Sequence, residues 1–220
     1  MSIAVGFQSG DAVVLCADRQ VTKEGGLKFE EPKIMWRTGL MPEPFSIAFA
    51  YCGIPDVAEN LFHQMKAAFP EVIERSGHLI EDLRTAIQPF FNSKDAKYVE
   101  SLIAVGTEVD CFLLRTKNNQ IVRGFREYIG SGDSSVLRYL ADVMKHVEPS
   151  VEQTKALAAY MVFVASRYID GCGLGGDMVV LRKNQPLVVF SSMDIEQYAA
   201  QFIEFEREAE KTFLMKCSPR

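Results

Sequence analysis

The sequence is short of the residues on which most metal, redox and nucleic-acid chemistry depends. Its three histidines (His63, His78 and His146) are far apart, share no ligand spacing and form no obvious triad, so they read as surface residues. Five cysteines (Cys16, Cys52, Cys111, Cys172 and Cys217) are an odd set without a CxxC pair. That pattern argues against a zinc site or a disulfide framework and for a reducing, cytoplasmic setting. No metal signature is present and no cofactor is expected. Basic charge is in deficit, 24 Lys and Arg against 29 Asp and Glu, so there is no electrostatic footprint for nucleic acid. Long apolar runs are missing as well. The longest nearly uncharged one, 156–166, is far too short to span a bilayer, and no signal peptide precedes the first strand. Internal repeats, linkers and low-complexity blocks are absent.

What is there suits a protein of one domain, residues 1–220, with a full core: 220 residues, of which 48% are hydrophobic. Two short apolar strands, 3–8 and 12–17, flank the turn Ser9-Gly10-Asp11. Strands are expected at 33–37 and 45–51, the second almost wholly apolar and therefore buried. Gly53 and Pro55 stop the sheet, and Asp56 opens a helix to about Phe69, with Val57, Leu61, Met65 and Ala68 at helical spacing. A second helix covers 79–91. Strands return at 102–107, 111–116 and 121–125, and a short extended piece reaches Ile129. Helices follow at about 134–146 and 151–169, the latter apolar all round at its centre and so packed on several sides. Strands at 178–182 and 187–190 precede a charged helix from Asp194 to about Lys216, whose acidic stretch 204–210 reads as a solvated face. Antiparallel hairpins with helices in pairs predict an α+β protein of two packed sheets with helices on both outer faces.

Chemistry concentrates at the chain start. Removal of Met1, which a small second residue permits, leaves Ser2 with a free α-amine, a base of pKa about 8 beside a hydroxyl nucleophile. The hairpin lays that chain end beside Asp18 at the end of the second strand. An ordinary edge hairpin with a surface aspartate is the other reading. Further on, Gly130-Ser131-Gly132 lies between a strand and a helix. It is either an anion-binding turn or a tight turn with Ser131 as helix cap. The run from Gly171 to Gly176 formally matches GxGxxG, but a helix precedes it and a strand follows, the reverse of a dinucleotide fingerprint. Those glycines are expected to end the helix and turn the chain into the next strand. Cys52, ending the buried strand, fits a buried small thiol.

The opening S-I-A-V-G-F … V-V-L-C-A-D-R-Q-V-T … P-K-I resembles that of a proteasome β-type peptidase subunit, a family of N-terminal nucleophile hydrolases. The order of elements resembles that family along the whole chain. The resemblance implies a four-layer αββα sandwich of two antiparallel sheets between helix layers. It places Ser2 at the family's N-terminal nucleophile, Asp18 at its strand-end aspartate and Lys33 at its catalytic lysine. It also implies that Ser131 helps to position the amine and relay a proton, and that Asp170 lies near the nucleophile. Three residues beyond Asp170 the family has a serine, where this chain has Gly173. The backbone N–H of Cys52 takes the oxyanion-donor position, where the family has glycine. Val21, Thr22 and Ala50 fall where extended substrate binds or the first pocket is lined. The implied function is peptide hydrolysis in a homo-oligomeric ring or related assembly, acting on peptides or unfolded proteins, with a separate ATPase unfoldase as the implied partner. Two alternatives stay open: a small-amide amidase of the same class, and a non-catalytic assembly or scaffold subunit.

Overall fold

The structure, a computed structural model, describes residues 2–22, 26–39, 45–75, 79–117, 120–130, 138, 142, 148–173 and 175–217. The expected helix at about 134–146 lies outside the described residues, apart from Arg138 and Asp142, which are helical. Twelve strands are described. They are β1 (Ile3–Ser9), β2 (Ala12–Asp18), β3 (Gln20–Thr22), β4 (Lys28–Glu30), β5 (Ile34–Gly39), β6 (Phe45–Gly53), β7 (Val99–Thr107), β8 (Cys111–Lys117), β9 (Gln120–Gly124), β10 (Arg126–Gly130), β11 (Gly176–Arg182) and β12 (Val188–Phe190). The helices are α1 (Pro55–Arg75), α2 (Leu79–Phe91), α3 (Val151–Tyr168) and α4 (Ser192–Cys217).

The strands form two five-stranded sheets, ordered β10-β1-β2-β11-β12 and β5-β6-β7-β8-β9, and all pairings are antiparallel. Side-chain alternation along each strand sorts the apolar residues into three cores. On β6, Phe45, Ile47, Phe49 and Tyr51 face α1 and α2, meeting Leu61, Met65, Phe69, Ile87 and Phe91. The alternate residues Ala48, Ala50 and Cys52 face the other sheet, with Leu15, Ala17, Leu102 and Leu113 in the same layer. On β1, Ile3, Val5 and Phe7 pack with Leu157, Met161 and Ala165 of α3. Burial on both faces explains why β6 reads as a continuous apolar run rather than an alternating one. The result is the expected α+β fold, two antiparallel sheets stacked between helices.

Two features depart from the sequence expectation. The polar ribbon β3–β4, registered Gln20↔Glu30 and Thr22↔Lys28, is too short and too hydrophilic to give a periodic signal. Helix α1 continues through Pro70 to Arg75, although a proline disfavours helix at the residue before it. Helix α3, by contrast, starts at Val151 as expected, fixed by a reciprocal capping box between Ser150 and Gln153. No helix among the described residues is long and apolar enough to cross a membrane.

The inter-sheet layer offers a direct test. Leu102 is fully buried there, whereas Val109 in the β7–β8 turn is 70% exposed. Leu102→Ala is expected to cost about 2–5 kcal/mol in urea unfolding and Val109→Ala less than about 0.5 kcal/mol. Equal costs would show that this layer is not packed as described.

Candidate active site

The hairpin register decides what lies beside the chain start. Ala4 pairs with Ala17, which carries Ser2 past the end of β2. The N–H of Ile3 donates to Asp18 Oδ1 at 2.8 Å. On the other side of β1, Ile3 pairs with Gly130. Gly130 has φ +120, and a Cβ there would lie 2.0 Å from the Ser2 carbonyl oxygen and 3.0 Å from Cys52 Sγ. Only glycine lets β10 come this close to the chain start.

Asp18 is fully buried and is the hub of the site. Besides Ile3, its Oδ1 accepts a hydrogen bond from Lys33 Nζ at 2.7 Å. Its Oδ2 accepts from the N–H of Gln20 at 3.2 Å and of Gly173 at 3.0 Å. Four donors therefore answer the lone pairs of one carboxylate, which is what a buried charge requires. Lys33 is itself only 1% exposed, and its carbonyl accepts the Tyr51 N–H at 3.2 Å. The Asp18–Lys33 ion pair links the end of β2 in one sheet to the start of β5 in the other.

A cavity of about 920 Å³ opens at this end of the sheets. Ser2 and Lys33 line it, as do Val21 and Thr22 of β3 and Cys52 and Gly53 of β6. Two other residues are placed differently from what the resemblance implies. Ala50 is fully buried between the sheets, opposite Ile34, and the wall next to it is made by Tyr51 and Cys52. Asp170 is exposed just after α3 and is not among the residues lining the cavity. Its loop reaches the site through the Gly173 amide instead, a contribution the sequence signalled only as a glycine-rich turn. Ser131 lies outside the described residues.

The amide expected to hold an oxyanion is also relocated. The Tyr51 N–H points to β5, and the Ile54 N–H donates to the Tyr98 carbonyl at 3.4 Å. Successive amides alternate sides, so the Cys52 N–H faces its β7 partner Glu100 and the Gly53 N–H faces the β5 side. Gly53, at φ +128, has the Tyr98 carbonyl 2.0 Å from where a Cβ would stand, so the position accepts only glycine. Cys52 contributes its side chain to the buried layer, with Sγ 3.6 Å from the Ile129 carbonyl. Burial pushes its thiol well above the ordinary value, and the Asp18 charge adds to that. Burial likewise pushes the Cys172 thiol up to about 11. Among the described residues no group of His, Cys, Asp or Glu could hold a metal ion.

Two outcomes follow from this geometry. Lys33→Met leaves the Asp18 carboxylate buried without its cation and should cost about 3–5 kcal/mol in chemical unfolding, while Asp18→Asn combined with Lys33→Met should recover much of that loss. A Lys33→Met protein as stable as the parent would show that the pair is not buried as described. Iodoacetamide at pH 7.5 should leave Cys52 and Cys172 unmodified in the folded protein, as peptide mass mapping would read, because neither holds an appreciable thiolate fraction.

No family model matches the sequence, and neither does any curated protein. Solved structures do match. A Gly-1 mutant of Anbu from Hyphomicrobium sp. strain MC1 superposes with a TM-score of 0.77 at 9% identity, covering 96% of this chain and 97% of that one. Anbu, described as an ancestral beta-subunit, from Yersinia bercovieri matches with a TM-score of 0.74 at 9% identity over 99% and 98% of the two chains. A second structure of the Hyphomicrobium protein gives 0.72 at 9% identity over 95% and 97%. These findings correct the resemblance drawn from the opening motifs to proteasome β-type peptidase subunits. The matched Anbu proteins are proteasome-like in fold but form a distinct family, and at 9% identity the chain shares with them the fold alone.

Proposed function

We propose that the chain is an N-terminal-nucleophile hydrolase that cleaves peptide amides through Ser2 once Met1 has been removed. One observation carries the reading. A buried carboxylate, Asp18, binds both the backbone N–H next to Ser2 and the ammonium of Lys33, and Ser2 and Lys33 line one cavity. A surface hairpin with an incidental aspartate would not bury that carboxylate under four donors.

In this reading the Ser2 α-amine accepts the Oγ proton as Oγ attacks the substrate carbonyl carbon. The Lys33 charge favours the developing alkoxide, and Asp18 balances and orients Lys33. The Gly53 N–H, facing the β5 side of β6, supplies the oxyanion donor in place of Cys52. Collapse of the tetrahedral adduct expels the amine leaving group, which takes up the proton. Water then hydrolyses the Ser2 acyl ester and restores the free hydroxyl. Val21 and Thr22, at the cavity edge, hold the extended substrate. The proposal includes a cytoplasmic setting, a homo-oligomeric assembly and delivery of unfolded substrate by a separate ATPase, for which the support is the fold alone.

The test begins with the intact mass of protein purified from its own cells, expected to lack Met1. Peptide hydrolysis should then fall by roughly 10³-fold or more in Ser2→Ala. Its rate should rise with pH as the α-amine loses its proton, around pH 8 for an unperturbed group. Retention of Met1 on all of the protein, or undiminished hydrolysis by Ser2→Ala, would overturn the proposal in favour of a scaffold role.

A further inference from the structure

The cleft beside Ser2 has a lopsided charge that the hydrolytic chemistry does not use. Lys33 contributes little to it, because its ammonium is matched by Asp18 at 2.7 Å inside the wall. Among the described residues, the other charged side chains lining the cavity are Glu31, Asp56, Glu100 and Lys97. Among the described side chains three carboxylates stand against one ammonium, an acidic excess that the Ser2 α-amine at the base of the cleft offsets only in part. Each carboxylate is held by a different element. Glu31 is half-buried just before Lys33, Asp56 sits in the first turn of α1, and Glu100 on β7 accepts the Gly130 N–H at 3.1 Å. Asp56, in that first turn, faces the positive end of the helix dipole.

Two further observations bear on what would neutralise this field. Tyr51 lines the same cavity, and its phenol is pushed up by burial and then by Glu31 and Glu59, so negative charge converges on that wall. Phe29 and Tyr98 add aromatic surface. The rim already shows one pairing of the kind the wall invites, with Lys97 Nζ 4.8 Å from the centre of the Tyr98 ring. Aromatic faces beside carboxylates suit a cation on an apolar stem: the rings cover the methylenes and the carboxylates meet the charged head. An acidic side chain would meet an excess of like charge in the same space.

We propose that the Ser2 cleft selects peptides by binding a lysine or arginine side chain. The proposal rests on the reading of this cleft as the peptide site and names the class of peptide it takes.

The test uses three peptide amides that differ only in carrying Arg, Leu or Glu on the N-terminal side of the cleavable bond. Hydrolysis is measured with the full chain bearing a free Ser2, and binding of the same peptides is measured with Ser2→Ala. The Arg peptide should exceed the Glu peptide by at least about tenfold in kcat/KM and in affinity, with Leu between them. Glu31→Gln and Glu100→Gln should each reduce that ratio severalfold, and so should raised salt. Hydrolysis of all three at similar rates would overturn the charge selection and leave the Ser2 reading standing. Preferential binding of Arg without hydrolysis of any peptide would support the charge selection and overturn the Ser2 reading. Equal binding without hydrolysis would overturn both.

Discussion

The site depends on one buried ion pair. A carboxylate and an ammonium taken out of water lose several kcal/mol of hydration each, and their mutual attraction repays this only when the remaining donors and acceptors are also satisfied. Asp18 meets that condition with three backbone amides in addition to Lys33. The amides come from separated parts of the chain: the start of β1, the start of β3 and the loop after α3. Each segment is thereby held to within a hydrogen bond of one carboxylate. The pair is thus a clamp as well as a charge. It draws the end of one sheet and the start of the other together at the point where Ser2 emerges.

The sheets around the clamp make it possible. In the facing layer small residues, Ala4, Ala17, Ala48 and Ala50 among them, interdigitate with larger ones such as Leu15, Leu102 and Leu113, which lets the two sheets pack closely. At the chain start the approach is closer still, and Gly130 gives the Ser2 carbonyl room. Gly53 does the same for the Tyr98 carbonyl at the end of β6. Both glycines adopt positive φ, so neither position is open to an ordinary residue without distortion.

Much of this was legible in the sequence, for identifiable reasons. The β1–β2 hairpin has strong apolar strands and a short turn, and its register followed directly, placing Asp18 beside the chain start. Lys33 came only from the motif resemblance. The family that the resemblance named did not survive comparison with the solved structures, although the fold it implied did. What stayed hidden was backbone chemistry. Nothing in a one-letter string says which side of β6 the amide of Cys52 or Gly53 faces. That depends on pairing parity, which only the register with Lys33 and Tyr98 reveals. Gly173 was hidden for the same reason, since its N–H rather than any side chain is what reaches Asp18. Ala50 was misplaced by one step of strand alternation, with Tyr51 and Cys52 rather than Ala50 lining the cavity.

In the proposed hydrolase, the same geometry would separate two electrostatic tasks that otherwise interfere. A lysine able to stabilise an alkoxide would also attract acidic substrates if its charge were displayed to the cleft. Enclosing Lys33 with Asp18 at 1% and 0% exposure confines that charge to the shortest range, where an oxygen on Ser2 would feel it and a side chain farther along the cleft would not. The longer-range field is then left to the carboxylates at the rim, on Glu31, Asp56 and Glu100. A neutral pair at the base and an acidic rim can therefore be varied independently. Removing Lys33 perturbs the core, whereas a substitution at the rim changes what the cleft attracts and leaves the clamp intact.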